Sequence, residues 1–413
     1  MQLEYNKNKS ELIPVYPIKI SNNRRYLVDQ ENNPFLFHAD TGWKLFWEFT
    51  KSEAEVYLND RKQKGFTVIQ VQLLPHRDYQ ANRNGDNPFL KRGDITDPNP
   101  AYFEHVDWVI SKAMEIGLGM LIAPAWASNW EQDWHTHLNS ENAEIFADFI
   151  ANRYKNHLNI IGWIHGGDYD ALELHDAIRI CGRVIKKIAP HQLNTFHGYI
   201  KGGWQYFHNE SWYDLNMAYA YDYNDMVIQL NEAYELLPVK PVFLGETHYE
   251  YNLGITTADI RKYAWTSILL GTAGQTYGNK DIWIATCFWT AAINSPGAAN
   301  MLNIKNMLDT LDWEKLVPDK TNAVVTKVCD SSDHIIPASC SEDGSIAIAY
   351  IPSDIRIAVD TKRLAPDIQA FWFDTTNGTY IEIGDINDLI ETELKTPGKN
   401  SSGDEDWVLL FKK

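Results

Sequence analysis

The sequence predicts a (β/α)8 TIM barrel followed by a small C-terminal antiparallel β-sandwich, and three observations carry that prediction. Eight apolar runs of strand length recur through the first three quarters of the chain, each followed by a segment long enough to be a helix. Several of those runs are apolar on both faces, as strands of a parallel sheet covered on both sides must be. After about residue 315 the texture changes to short runs separated by turn residues, the pattern of an antiparallel sandwich. The expected division is therefore 1–315 for the barrel with an N-terminal β-hairpin, and 316–413 for the sandwich.

The elements follow in order. Arg25–Val28 and Pro34–Phe37 flank turn-rich residues 29–33 and read as the hairpin. The second arm continues into His38, Ala39, Asp40 and Thr41, a first barrel strand ending on polar groups. Ser52 and Glu55 have capping-box spacing for a helix that stops at Gly65. Phe66–Leu74 is the second strand, and the Asn/Asp/Gly/Arg-rich residues 75–98 form a long loop, of the kind that walls a site. Asn99 and Pro100 open a helix that closes at Gly117, and Leu118–Ala123 is the third strand. A helix over about 140–156, capped by Ser140, precedes the fourth strand, Ile160–His165. A helix over 171–188 leads to Leu193–His197, then Leu215–Tyr219, then a helix near 224–236.

The seventh strand is the most telling. Pro241, Val242, Phe243 and Leu244 form a buried run that stops at Gly245 and Glu246. A carboxylate at the carboxyl end of a barrel strand lies where such barrels keep their chemistry. A helix over 257–270, the strand Ala273–Tyr277 and a helix over 298–311 complete the set. In the C-terminal part, Ile346–Ile351, Ile355–Val359, Ile368–Phe373, Tyr380–Ile383 and Trp407–Phe411 read as strands. The polar, Gly/Ser-rich residues 394–406 read as a mobile loop.

Composition narrows the partners. The formal net charge of −18 leaves no basic stripe for a phosphate backbone or an anionic membrane, so neither nucleic acid nor membrane is expected. The 15 Trp and 21 Tyr suit a site that stacks on sugar rings, each offering a flat apolar face with a polar edge. The residues Met1 to Lys7 lack the apolar segment of a signal peptide, so a soluble, cytoplasmic chain is the expectation unless a leader was trimmed. Cys181, Cys287, Cys329 and Cys340 form no C-x-x-C pair. Free thiols are expected, although Cys329 and Cys340 are near enough in sequence to pair. His135-Thr136-His137 reads as a solvated loop rather than a metal site. No cofactor motif appears: the glycine-rich nucleotide loop, the Gly-x-Ser-x-Gly elbow and the His-Glu-x-x-His zinc motif are all missing. The expected metal and cofactor are both none.

Bringing the strand ends together places Asp168 and Glu246 across the barrel mouth from each other. Glycoside hydrolysis needs two such carboxyls, one to protonate the leaving oxygen and one to meet the anomeric centre. Alone, Asp168 reads equally as a turn residue or helix cap; paired with Glu246 it reads as chemistry. Asp40, Trp43, Gln72, His76, Trp126, His165, His197, Tyr219, His248 and Tyr277 are the expected sugar-holding residues, with Trp130 and Trp283 on adjoining loops. Spacing does not choose between retention and inversion. The alternative to a hydrolase is a non-catalytic carbohydrate-binding protein on the same scaffold, whose mark would be the loss of one carboxylate.

Several stretches also carry a resemblance. Phe37-His38-Ala39-Asp40-Thr41-Gly42-Trp43, Gly65-Phe66-Thr67-Val68-Ile69-Gln70, Trp163-Ile164-His165-Gly166-Gly167-Asp168, Gly245-Glu246-Thr247-His248-Tyr249-Glu250 and Thr276-Tyr277-Gly278-Asn279 together resemble glycoside hydrolase family 140, the apiosidase-like proteins, over about residues 15–315. Ala370–Gly378 and Asp406–Leu409 resemble the small domain that usually follows it, known by a collagen-binding label. The resemblance implies a retaining mechanism with Asp168 as acid/base and Glu246 as nucleophile, acting on an apiose linkage in plant pectic side chains. It implies an oligosaccharide partner. The sequence departs from the family at Thr247, where many relatives carry Pro, and at His165, and both departures bear on which sugar enters.

Overall fold

The computed structural model describes residues 13–128, 133–199, 202–329, 335–385 and 392–413, so Trp130 lies outside the described residues. Two compact units emerge from the packing. One comprises Ile13–Asn252 with Ala273–Asn294, and the other Leu253–Thr272 with Ser295–Lys413.

The first unit holds eight parallel strands: β1 (Phe37–Thr41), β2 (Val68–Gln72), β3 (Gly119–Ala123), β4 (Ile160–Gly166), β5 (Leu193–His197), β6 (Asn216–Tyr219), β7 (Val242–Glu246) and β8 (Gly274–Tyr277). Their order around the sheet is β5-β4-β3-β2-β1-β8-β7-β6. The ring closes at the start of β5 and β6, where the Leu215 N–H donates to the Asn194 carbonyl at 3.2 Å and Thr195 Oγ1 to the Leu215 carbonyl at 2.8 Å. The period of two along each strand sorts side chains between two cores. Phe37, Ala39, Val68, Leu121, Ala123, Ile161, Met217 and Phe243 pack together in the barrel interior. Ile69, Val71, Met120, Ile122 and Trp163 pack instead with helix residues such as Leu58, Val106, Ile110, Phe146 and Ile185.

Local chemistry sets the element ends. The helix Lys51–Gln63 is capped by Thr50, not Ser52: Glu53 N–H donates to Thr50 Oγ1 at 3.3 Å, and Thr50 N–H to Glu53 Oε2 at 2.8 Å. The sequence holds two overlapping Ser/Thr-x-x-Glu patterns, and the earlier one starts the helix. Asn99, Pro100 and the left-handed Gly117 bound the helix Pro100–Ile116. The hairpin Leu27–Val28 with Pro34–Phe35 gains a third short strand, Lys19–Ile20. His135 is buried in a 3-10 turn, Trp134–His137, and His137 Nε2 lies 3.1 Å from Asp78 Oδ2, so the solvated-loop reading of this pair gives way to a packed one.

The second unit stacks a six-stranded antiparallel sheet on a three-stranded one. Ala347, Ala349, Ile357, Val359, Trp372, Leu409 and Phe411 fill the space between them. The helices Thr257–Leu269 and Pro296–Asp309 belong to this unit, which therefore takes in chain from before the change of sequence texture at 315. A buried charge explains why. Arg261 Nε donates to Asp406 Oδ2 at 2.8 Å, Nη2 to Asp406 Oδ1 at 2.6 Å, and Nη1 to Asn300 Oδ1 at 3.0 Å. Asn400 Nδ2 also donates to Asp406 Oδ1 at 2.9 Å while its Oδ1 accepts the N–H groups of Ser402 and Asp404. The segment 394–406, polar enough to read as mobile, is thus tied by its own Asx turns to a buried ion pair. All four cysteines are free. Among the described residues no helix is long and apolar enough to cross a membrane.

Candidate active site

The carboxyl ends of the strands surround a cavity of about 220 Å³ lined by Trp43, Gln72, His76, Trp126, Ser128, Asp168, Tyr219, Tyr221, Glu246, Tyr249, Asn252 and Trp283. Six of the twelve are aromatic, and two are the carboxylates at the ends of the fourth and seventh strand segments.

Glu246 is delivered by an irregularity in β7. The register with β6 shifts between Leu244 and Glu246, a bulge that re-aims the last side chain. Gly245 occupies the bulge because a Cβ there would lie 2.0 Å from Met217 Cε, inside the packed barrel core. The carboxylate is buried, 4% exposed, and held by three side-chain donors. His197 Nε2 lies 2.9 Å from Oε2, and the hydroxyls of Tyr221 and Tyr249 donate to Oε1 at 3.1 and 2.9 Å. His197 Nδ1 lies 2.7 Å from the Gly167 carbonyl oxygen, so both ring nitrogens are anchored and the ring is held in place beside the carboxylate.

Asp168 is delivered by a turn. Gly166 has φ +83°, and a Cβ on Gly167 would lie 2.0 Å from the Ala127 carbonyl oxygen. Only two glycines let the chain pass between Ala127 and His197, whose backbones bond it from both sides: the Gly167 N–H donates to the His197 carbonyl at 3.0 Å and the Asp168 N–H to the Ala127 carbonyl at 2.7 Å. The Asp168 side chain keeps access to solvent at the cavity mouth. Its carboxyl is nevertheless hemmed in by protein, and that desolvation, with the negative charge of Glu246, pushes its pKa up to about 6. Trp126 Nε1 donates to Asp168 Oδ2 at 3.1 Å.

The remaining wall is mostly neutral. Burial, with the charges of Lys44 and Arg77, pushes the His76 pKa down to about 4. Gln72 is 2% exposed and its Oε1 has no hydrogen-bond partner among the described residues, leaving it available to a ligand hydroxyl. Ser128 donates to Asp133 Oδ2. Asp133 is itself pushed up to about 7, by burial above all, although Arg77 Nη1 bonds its Oδ1 at 3.1 Å.

The structure brings Trp43, Gln72, His76, Trp126, Asp168, Tyr219 and Glu246 to the cavity, with His197 beneath Glu246 and Trp283 on the wall. Four expected sugar-holding residues lie elsewhere, and strand parity is the reason for three. Asp40 points to the helices, where it accepts from Tyr57 Oη at 2.7 Å and pairs with Arg61 Nη1 at 3.0 Å. His165 points outward too, against Trp212 and 3.0 Å from Asn194 Oδ1, and burial pushes its pKa down to about 4. Tyr277 donates to the buried Glu250 at 2.6 Å. The fourth, His248, sits behind the lining Tyr221, ring centroids 5.1 Å apart. Sequence reasoning missed Tyr221, Tyr249, Ser128 and Asn252. Each lies one to six residues past a strand end or on a rim loop, a position that marks the rim without saying which side chains turn inward.

Comparison with known proteins follows the same lines. A family model described as "Apiosidase-like, catalytic domain" matches residues 21–315, and a second, named for the collagen-binding domain of a collagenase, matches residues 317–412. A solved structure titled "Glycoside hydrolase" shares 26% identity with a TM-score of 0.86, covering 97% of this chain and 98% of its own. A glycoside hydrolase family 5 structure from Bacteroides vulgatus ATCC 8482 shares 24% identity at TM-score 0.84, covering 96% and 93%. The endo-1,4-beta-mannanase from Rhizomucor miehei, at 12% identity and TM-score 0.53 over 71% of this chain and 99% of its own, shares the fold. None of the curated proteins compared matches the chain.

Proposed function

The chain belongs to the apiosidase-like family of glycoside hydrolases, and from that premise we propose that it cleaves its glycosidic bond with retention of configuration, Glu246 acting as nucleophile and Asp168 as acid/base. The observation that carries the division of roles is the unequal environment of two carboxylates lining one cavity, while retention is what the resemblance to family 140 implies. Glu246 is held by three donors, and Asp168 is held protonated up to about pH 6 by burial and by the Glu246 charge.

The steps follow from those environments. Glu246 attacks the anomeric carbon as the bond to the leaving oxygen breaks, and Asp168 gives that oxygen its proton. The product is a glycosyl ester of Glu246, which no longer carries a negative charge. With that charge gone Asp168 holds its proton less firmly, which suits its second role. It then takes a proton from a water that attacks the anomeric carbon, and the ester breaks to return the Glu246 carboxylate. The aromatic walls suit sugar stacking, and Gln72 Oε1, Ser128 and Asn252 suit hydroxyl recognition. The substrate proposed is a plant-type oligosaccharide, pectic and apiose-containing or closely related, in keeping with the family's name.

The test is stereochemical. Proton NMR of the first turnover of an active glycoside should show the sugar released in the anomeric configuration of the substrate; the opposite anomer would refute retention. Glu246→Gln and Asp168→Asn should each lower kcat by orders of magnitude with the melting temperature kept, and near-normal turnover in either would refute the assignment.

A further inference from the structure

Two tryptophans in the cavity wall pack on each other, with Trp43 and Trp126 ring centroids 4.9 Å apart at 48°. Each sends its indole N–H toward a different carboxylate. Trp126 Nε1 reaches Asp168 Oδ2 directly at 3.1 Å. Trp43 Nε1 reaches Tyr249 Oη at 2.7 Å, and Tyr249 Oη reaches Glu246 Oε1 at 2.9 Å.

The direction of the second chain is fixed by chemistry. An indole nitrogen only donates. Tyr249 Oη must therefore accept from Trp43, and its single proton is left for Glu246. Without Trp43 the phenol could turn to another acceptor. Tyr249 is 3% exposed and Trp43 is also 3% exposed, so neither hydroxyl nor indole exchanges this bond for water. The ring contact between the indoles then links the two chains into one rigid piece, with His197 packed edge-on to Trp126 at 4.6 Å.

We propose that Trp43 and Trp126 form a positioning pair that fixes the separation of the two carboxylates, Trp126 acting on Asp168 and Trp43 acting on Glu246 through Tyr249. This rests on the assignment of Asp168 and Glu246 as the reacting carboxyls. It gives Trp43 a task distinct from stacking on sugar.

The experiment is a double-variant cycle on the full chain with Trp43→Phe, Tyr249→Phe and both together. The probe is whichever member of a panel of p-nitrophenyl and methyl glycosides the wild type turns over fastest. Tyr249→Phe removes only the hydroxyl, whereas Trp43→Phe removes the indole N–H together with part of the bicycle, so the comparison of the double variant with Tyr249→Phe is what isolates the relay. Trp43→Phe is expected to lower kcat about fivefold, the worth of one neutral hydrogen bond, with KM unchanged. The base limb of its pH–rate profile, which Asp168 sets, should stay in place, since the Trp43 indole N–H bonds Tyr249 and not Asp168. The double variant should be no slower than Tyr249→Phe alone. Trp126→Phe should move the base limb instead. Effects of Trp43→Phe and Tyr249→Phe that multiply, or a change in KM alone, would overturn the relay and make Trp43 a sugar platform. That outcome is distinguishable from failure of the functional reading, which Glu246→Gln tests separately.

Discussion

Asp168 should govern the alkaline side of catalysis, and Glu246 should be partly responsible for where that side lies. Its carboxyl is raised from the usual 3.8 to about 6, burial first and the Glu246 charge second. The protonated acid is the working form, so kcat/KM on a glycoside with a poor leaving group should fall about tenfold per pH unit above that midpoint. Roughly a tenth of the acid form remains one unit above it. The perturbation that separates the two causes is Glu246→Gln, which removes the charge and leaves the cavity. Removing a like charge favours ionisation of the remaining carboxyl, so the Asp168 midpoint should drop. Because burial is the larger cause, it should stay above 3.8. Carbon NMR of labelled aspartate follows this midpoint directly, since the variant need not turn over. A midpoint that stays put or rises in Glu246→Gln would refute the electrostatic coupling. A profile flat from about pH 5 to 8 on a poor leaving group would refute Asp168 as the acid.

Three further outcomes follow from the packing. Asp406→Ala removes the acceptor of two Arg261 bonds and of Tyr350, Thr375 and Asn400, leaving the buried guanidinium with the half-exposed Asp404 as its remaining carboxylate among the described residues. Chemical denaturation should show a loss of about 3–5 kcal/mol, and a loss under about 1 kcal/mol would contradict the burial of that charge. Asp40→Asn weakens the ion pair with Arg61, both side chains 0% exposed. Stability should fall while KM holds, and a KM change without a stability change would return Asp40 to the sugar. Gly167→Ala places a methyl 2.0 Å from the Ala127 carbonyl oxygen, so the turn must shift and Asp168 with it. Turnover should fall more than tenfold in a variant that still melts cooperatively, the cost of misplacing a reacting group.

The parts of this fold that were legible are those governed by local period and by punctuation. Runs such as Val242–Leu244 declare a buried strand by composition alone, and Asn99, Pro100 and Gly117 bound their helix as caps should. The sequence of strand ends also named Asp168 and Glu246. What it did not resolve was facing. Asp40 and Gln72 both sit at strand ends, yet Gln72 lines the cavity while Asp40 bonds Tyr57 and Arg61 on the next helix. Assigning the inward face needed the register across neighbouring strands, which no single strand encodes. The bulge at Gly245 and the turn at Gly166 and Gly167 break the simple alternation where it matters most. Tyr221 and Tyr249 were hidden for a related reason: they reach Glu246 from loops, and loop side chains have no period to read. The polarity of 394–406 reads as a loop, and 396–406 is one; what composition does not show is that Asn400, Asp404 and Asp406 build turns and ion pairs around Arg261.

The manner in which the chain presents each carboxylate fits the role proposed for it. Glu246 ends a core strand, is aimed by a bulge wedged against Met217, and is pinned at both oxygens by groups that are themselves pinned. A nucleophile gains from this arrangement, because it must meet the anomeric carbon at a fixed point and needs no exchange with solvent. Asp168 sits beyond its strand on a glycine turn, keeps solvent access, and takes one side-chain hydrogen bond among the described residues, from Trp126. An acid/base must give a proton to one partner and recover it from water, so it needs an approach for water and freedom to change charge. Exchanging the two residue types should therefore not exchange the roles. A variant with Asp168→Glu and Glu246→Asp keeps both charges but shortens the pinned carboxylate by one methylene and lengthens the loose one. The expected result is a loss dominated by the Glu246→Asp change, since the shortened carboxylate leaves its three donors and its point of attack together. A double variant limited instead by Asp168→Glu, as judged from the two single variants, would show that the fixed geometry of Glu246 is not what the reaction depends on.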